Sequence, residues 1–81
     1  MRYIELDKAP SNQLLEVMAV NADAAWQKRF EAMGIRPGRH IRKIASQPFG
    51  GPVVIDVGGS KISLGRNIAA KIEVELVTPS R

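Results

Sequence analysis

The 81-residue sequence contains no cysteine, few aromatic residues and no long apolar run. Without cysteine, neither disulfides nor thiolate metal ligands can stabilise the fold, and nothing indicates an oxidising compartment. No apolar run approaches the roughly 20 residues needed to span a bilayer, and the first ten residues lack the apolar region of a signal peptide. The sequence therefore predicts a small cytoplasmic domain that depends on one modest apolar core.

Groups suited to catalysis are scarce as well. The one histidine, His40, has no cysteine or acidic residue at metal-ligand spacing, so we expect it to be a surface residue. The carboxylates are dispersed, and no two of them form an obvious acid–base pair. The pairs Gly50-Gly51 and Gly58-Gly59 lack the pattern of a phosphate-binding loop. We therefore expect no enzymatic activity, no metal site and no cofactor.

Positive charge is concentrated in one segment. The sequence has 12 Lys and Arg against 8 Asp and Glu, and residues 28–43 alone carry six cations and one glutamate. Such a segment can attract an acidic protein surface, nucleic acid or the inner membrane surface, although a solvated surface without a partner is equally compatible. With aromatics at only 5% of residues, few platforms exist for stacking bases, so we expect no nucleic-acid partner.

Apolar periodicity predicts one helix between short strands. Residues 14–20 form an apolar run of strand length, and an apolar stripe at helical spacing follows it. Asn21 or Asp23 can cap this helix, Gly34 can end it, and Ile35 can fold back onto its last turn. We expect the aromatic residues of the stripe to be core residues rather than a ligand site. The stripe consists of Ala22, Trp26, Phe30 and Met33.

The strand predicted after the turn at residues 36–38 has an irregular pattern. Ile41 and Ala45 share one phase of the alternation, whereas Ile44 has the other. Either Lys43 lays its methylene stem against the core, or a bulge near Lys43 and Ile44 resets the phase. The bulge is the preferred interpretation.

The C-terminal half predicts a hairpin over residues 53–64, a helical turn, and a last strand at residues 72–76. The whole pattern predicts a mainly β fold: a small five-stranded SH3-like barrel with one inserted α-helix and a short helical turn. Closure is expected because it hides the sheet edges of so short a chain. We assign residues 14–77 to this domain, residues 1–13 to a partly flexible N-terminal segment, and residues 78–81 to a tail.

The loop Pro48-Phe49-Gly50-Gly51-Pro52 allows two interpretations. Its prolines restrict the backbone before folding, and its glycines permit angles that other residues avoid. The loop is either a stiff connector with Phe49 tucked into the end of the barrel, or a surface that presents Phe49 and free backbone N–H groups to a partner.

Four stretches of the sequence, taken together, resemble the FeoA family of ferrous-iron transport proteins. They match in order and spacing, and Lys43 departs from the family pattern at an apolar position. The resemblance implies an SH3-like fold and a non-enzymatic, cytoplasmic accessory role in bacterial Fe(II) uptake. It also implies action with FeoB, a membrane transporter with a cytoplasmic GTP-binding domain. The stretches are residues 29–38, "PFGGP" at 48–52, "VGGSKISL" at 57–64 and "AAKIEV" at 69–74.

Two partner hypotheses follow from the resemblance. In the first, the protein docks on the cytoplasmic part of FeoB, is held at the membrane only through that partner, and modulates the GTP cycle or gating. In the second, it is an SH3-like regulatory or nucleic-acid-binding module of a metal-responsive system, because SH3-like domains of metal-dependent repressors resemble FeoA. Weak self-association is left open, and no spacing selects an arginine that could act on a GTPase in trans. The candidate partner-binding residues are Lys28, Arg29, Arg36, Arg39, Phe49, Gly50 and Gly51.

Overall fold

The computed structural model describes residues 3–46 and 50–78 of the chain. Within these ranges the chain forms six strands, two helices and one 3-10 turn. In chain order the elements are β1 (Ile4–Glu5), the 3-10 turn (Leu6–Lys8), β2 (Leu14–Val20), α1 (Ala24–Ala32), β3 (His40–Ser46), β4 (Val53–Val57), β5 (Ser60–Leu64), α2 (Arg66–Ala69) and β6 (Ile72–Leu76).

All six strands belong to one antiparallel sheet with the order β1-β6-β2-β3-β4-β5. The mainly β class, the inserted helix and the helical turn are confirmed. The count of five strands was one short, because β1 adds to the free side of β6 through the pairs Ile4–Val74 and Glu5–Glu73. The sheet is also not closed: β1 and β5 are its two edges, so the barrel is open where the sequence predicted closure.

The segment before β2 contributes to the core. Leu6 is fully buried and Ala9 is nearly so, and β1 is hydrogen-bonded to β6. The core thus extends beyond the domain start assigned at Leu14, whereas the flexibility expected for residues 1–13 stays a prediction.

The core is formed mainly by inward-facing strand residues, and the 3-10 turn, α1 and α2 add Leu6, Phe30 and Ala69 to it. The strands contribute alternate residues, as in β4, where Val53, Ile55 and Val57 are buried and the residues between them are not. From α1, Phe30 is buried and Trp26 packs against the core with its ring centroid 5.5 Å from that of Phe30. The helical stripe is therefore core, as predicted.

Both ends of α1 follow the sequence signals. Asp23 is the N-cap, and its Oδ1 accepts a hydrogen bond of 2.9 Å from the backbone N–H of Trp26. At the other end Gly34 has a φ of +83°, which favours glycine, and Ile35 donates its N–H to the carbonyl of Phe30 at 2.8 Å. This is the predicted Schellman ending, in which Ile35 and Phe30 are both buried.

The irregular strand β3 realises both interpretations that the sequence allowed. Its register with β4 shifts between Lys43 and Ala45, which confirms the bulge. The Lys43 side chain nevertheless points inward and is only 1% exposed. The bulge and the buried lysine thus occur together.

None of the helices in the two described ranges is long and apolar enough to cross a membrane.

Candidate functional site

The described candidate residues fall into two groups at opposite ends of β3. Arg39 immediately precedes β3, at the end where α1 terminates, whereas Gly50 and Gly51 lie beyond its other end. At about 3.3 Å per residue, seven strand residues separate the groups by roughly 20 Å. Phe49 lies outside the described residues. The predicted partner-binding set therefore does not form one continuous patch.

Three exposed cations form what we call the helix-end surface: Lys28 and Arg29 on α1, and Arg36 in the turn after it. The Arg29 guanidinium carbon lies 4.9 Å from the centroid of the Trp26 ring, a cation–π distance that holds Arg29 against the helix. Among residues 3–46 and 50–78, no ion pair involves any of the three cations. Their charges are accordingly available to an acidic partner.

Arg39, in contrast, is partly buried and packs against neighbouring residues. Its guanidinium lies beside two glycines, so that an added Cβ at Gly34 would approach it at 3.6 Å and an added Cβ at Gly58 would collide with it. Its backbone carbonyl also accepts a 2.9 Å hydrogen bond from the N–H of Val17. Arg39 therefore ties the end of α1 to the β4–β5 hairpin, a role that its place in a basic segment did not reveal.

Near the middle of β3, the structure assembles a polar cluster around Lys43. The Nζ atom of Lys43 donates to the backbone carbonyls of Ala9, at 2.6 Å, and Asp7, at 3.1 Å. Burial lowers the pKa of Lys43, the Asp7 carboxylate opposes this shift, and the Arg66 cation adds to it. Gly50 lies beside the Arg66 member of this cluster, because an added Cβ there would lie 3.8 Å from the Nε of Arg66.

Sequence reasoning missed Asp7 and Arg66 as members of this cluster. Asp7 fell in a segment expected to be partly flexible, and Arg66 belonged to a short helical turn with no distinguishing spacing. The one available signal was Lys43, a charged residue at an apolar position of an otherwise apolar pattern.

The outer face of the sheet is acidic on its β1–β6–β2 side. In two cross-strand pairs, Glu5–Glu73 and Glu16–Glu75, a glutamate on one strand lies directly opposite a glutamate on its neighbour. His40 is opposite Glu16 on β3, with 3.9 Å between its Nε2 and the Glu16 Oε1, and its side chain is 52% exposed, which confirms a surface residue. Within the described ranges no three histidine or acidic side chains are grouped so as to hold a metal ion.

Three exposed cations therefore lie on α1 or just after it, with Glu31 among them, and four carboxylates lie on the outer face of β1, β6 and β2. Residues 3–46 and 50–78 enclose no ligand-sized cavity.

Comparison with known proteins assigns the family. The sequence model of the FeoA domain matches residues 4–76. The chain belongs to the FeoA family. It is 39% identical over 59 residues to a protein of Methanocaldococcus jannaschii provisionally named Fe(2+) transport protein A, and the match covers 73% of this chain and 70% of the relative.

Solved structures show the same fold. The FeoA protein of Chlorobium tepidum superimposes with a TM-score of 0.84 at 23% identity, over 96% of this chain and 74% of that protein. A manganese-dependent transcriptional repressor in complex with manganese gives a TM-score of 0.83 at 22% identity, over 95% of this chain but only 38% of the repressor. At these identities the likeness concerns the fold alone.

Membership of the FeoA family connects the chain with ferrous iron transport and with a family of small accessory proteins. The recognition made from the four sequence stretches is confirmed, as is the SH3-like fold.

Proposed function

We propose that this protein is a non-enzymatic, cytoplasmic accessory protein of ferrous iron uptake that binds the cytoplasmic part of a FeoB-type membrane GTPase transporter. Binding at that site modulates the transporter's GTP cycle or gating. The protein is peripheral to the membrane and is held there by its partner. The observation that carries the proposal is the FeoA domain match over residues 4–76, which spans nearly all of the described fold.

The charge distribution supports a docking role. The helix-end surface carries three exposed cations without ion-pair partners in the described ranges, so an acidic partner surface can approach it with little competition from within the chain. The Trp26–Arg29 stack restricts one of the three cations and lowers the entropy lost on docking. Arg39 is packed against Gly34 and Gly58 and contributes mainly to shape.

The direct test is a calorimetric titration of the protein into the purified cytoplasmic domain of the FeoB from the same cell. The titration is made with a GTP analogue and with GDP, each at two salt concentrations. We expect binding that depends on the nucleotide and weakens as salt rises, because exposed charges are screened. Binding with the same affinity in both nucleotide states would support a scaffold role and would contradict modulation of the GTP cycle.

A pair of charge variants tests the helix-end surface itself. Arg29→Gln with Arg36→Gln removes two of its cations, and we expect docking to weaken while the fold is unchanged. The matched control, Lys61→Gln with Lys71→Gln, removes the same charge from exposed positions that belong to neither α1 nor the turn after it. Equal affinity in the two double variants would show that net charge, and not the helix-end surface, is what the partner recognises.

A regulatory or nucleic-acid-binding module is the competing proposal, and the fold shared with the manganese-dependent repressor is what favours it. It requires binding to nucleic acid that survives moderate salt, since purely electrostatic binding falls steeply with salt. Fluorescence anisotropy with a labelled duplex and a labelled single strand separates the two proposals.

A further inference from the structure

The strand β5 is the longer of the two free edges of the sheet. It spans five residues, pairs only with β4, and keeps regular register along all five pairs, whereas the opposite edge, β1, has two residues. Edge strands are commonly protected by proline, bulges or covering elements. In the described part of the chain β5 has none of these, and its one charged residue is Lys61.

The turn before β5 determines which backbone groups face outward. Gly58 and Gly59 have φ values of +59° and +93°, which make a two-residue hairpin turn, and Val57 pairs with Ser60 across it. In such a hairpin the flanking pair is hydrogen-bonded, and hydrogen-bonded positions then alternate along the strand. The N–H and C=O groups of Lys61 and Ser63 therefore point away from β4, toward the free edge.

This edge is complementary to a second copy of itself. When two β5 strands pair antiparallel about a twofold axis at Ile62, Lys61 of each copy lies opposite Ser63 of the other. All four outward groups of each strand are then hydrogen-bonded, and the two Ile62 side chains meet at the axis. The register that pairs Lys61 with Lys61 sets two like charges directly opposite, which is destabilising.

The side chains fit the same arrangement. Lys61 and Ser63 are exposed, and Ile62 is only partly buried, so a neighbouring strand would cover apolar surface that the monomer leaves open. Within the monomer Lys61 lies opposite Asp56 on β4, which offsets its charge at the centre of the edge.

We propose that this protein forms a twofold dimer through antiparallel pairing of β5 with β5 of a second copy, centred on Ile62. The interface is short, so the dimer is weak and assembles at high local concentration, as when several copies gather on membrane-bound partners. The surface is distinct from the helix-end surface, so dimerisation and docking on a partner are separate properties.

Charge variants at position 63 test the register. Ser63→Glu places a carboxylate opposite Lys61 of the other copy, whereas Ser63→Lys places two ammonium groups there. With two such pairs per dimer, we expect the dimerisation constants to differ about tenfold in favour of Ser63→Glu. The double variant Lys61→Glu with Ser63→Lys should recover tight dimerisation. Sedimentation equilibrium up to about 1 mM measures all of these proteins.

The backbone pairing has its own test. Ser63→Pro removes an outward N–H but no donor to β4, and proline is tolerated on an edge strand in that orientation. We expect it to abolish the dimer, while Ser63→Ala keeps it. In a mixture of carbon-13-labelled and unlabelled wild-type protein, an isotope-filtered contact between the Ile62 α-protons of the two copies is expected.

Three results would overturn the proposal: a wild-type protein that is monomeric at every concentration, equal dimerisation of Ser63→Glu and Ser63→Lys, or a dimer without the Ile62 contact. If Ser63→Pro does not fold, which the β4–β5 amide signals would show, the charge variants still decide the outcome. Failure of the dimer leaves binding to FeoB untouched, because that titration uses a different surface.

Discussion

The Nζ atom of Lys43 lies 2.6 Å from the backbone carbonyl oxygen of Ala9, a residue 34 positions earlier in the chain. Both residues are almost fully buried. The ammonium group is therefore held inside the fold by carbonyls of the segment before β2 and attaches that segment to β3. A buried charge is costly unless it is paired or hydrogen-bonded, and two carbonyls together with the nearby Asp7 carboxylate meet that requirement.

Replacing this lysine tests how much the bonds contribute. Lys43→Met fills a similar volume but leaves the carbonyl of Ala9 without its donor, so we expect a loss of about 1–3 kcal/mol in the free energy of unfolding. Lys43→Ala adds a cavity and should cost more.

Urea denaturation measures the stability of both variants, and hydrogen exchange should show faster exchange at residues 4–9. As a control, Lys71→Met at an exposed position should change stability by less than about 0.5 kcal/mol. A neutral or stabilising Lys43→Met would mean that the desolvation cost of the ammonium exceeds its hydrogen bonds.

The same lysine predicts a dependence of stability on pH. Burial lowers the pKa of Lys43 below its ordinary 10.5, so the folded state favours the neutral amine more than the unfolded state does. Stability gained from this group is present above pH 10.5 and is lost as pH falls through the lowered pKa. We therefore expect the stability of the wild type relative to Lys43→Met to increase between the lowered pKa and 10.5. Lys8 also affects stability at high pH, because its hydrogen bond with Glu5 raises its pKa, and its contribution has the opposite sign. This contribution is present in both proteins and cancels in the comparison. A flat difference across this window would contradict the prediction.

The contact between Arg39 and Gly58 predicts a coupling between two substitutions. Gly58→Ala forces a methyl group against the Arg39 guanidinium at a positive φ, and we expect a loss of about 1–3 kcal/mol. Gly59→Ala also has a positive φ but meets nothing within 4 Å, so it reports the backbone strain alone. In a double-mutant cycle, Arg39→Ala should recover the part of the Gly58→Ala cost that exceeds the cost of Gly59→Ala. Strict additivity would show that the guanidinium moves aside without cost.

The N-cap of α1 gives a prediction with a built-in control. Asp23→Ala removes the acceptor for the N–H of Trp26 and should destabilise the protein by about 0.5–2 kcal/mol. Asn21→Ala alters the other residue that the sequence offered as a cap, and it should be close to neutral. Thermal unfolding followed by circular dichroism compares them. Equal losses in both variants would mean that the cap is not what distinguishes Asp23.

Much of this fold is predictable because its signals are local. The helix from its cap to Gly34, and the β4–β5 hairpin around its glycine pair, depend on residues within a few positions of each other. In contrast, β1 has two residues, and its pairing with β6 depends on a partner about 70 positions away that no local pattern reveals. Lys43 is an intermediate case. The sequence shows a charged residue at an apolar position of the strand pattern, but only the fold shows that its Nζ donates to the carbonyls of Asp7 and Ala9.

The candidate site was predictable to a smaller extent. The basic segment correctly indicated exposed cations at Lys28, Arg29 and Arg36. It could not indicate that Arg39 packs against glycines 34 and 58, because those contacts join three different turns. Charge in a sequence shows where cations occur along the chain, and packing decides which of them a partner can reach.

The position of β6 in the sheet has a consequence for synthesis of the protein. β6 lies between β1 and β2, yet it is the last of the described strands to leave the ribosome. Until residues 72–76 emerge, β2 has a vacant hydrogen-bonding side and β1 has no neighbour to pair with. We therefore expect nascent chains that end before residue 72 to hold the β2–β5 meander without β1, and the sheet to be completed only after translation has passed β6.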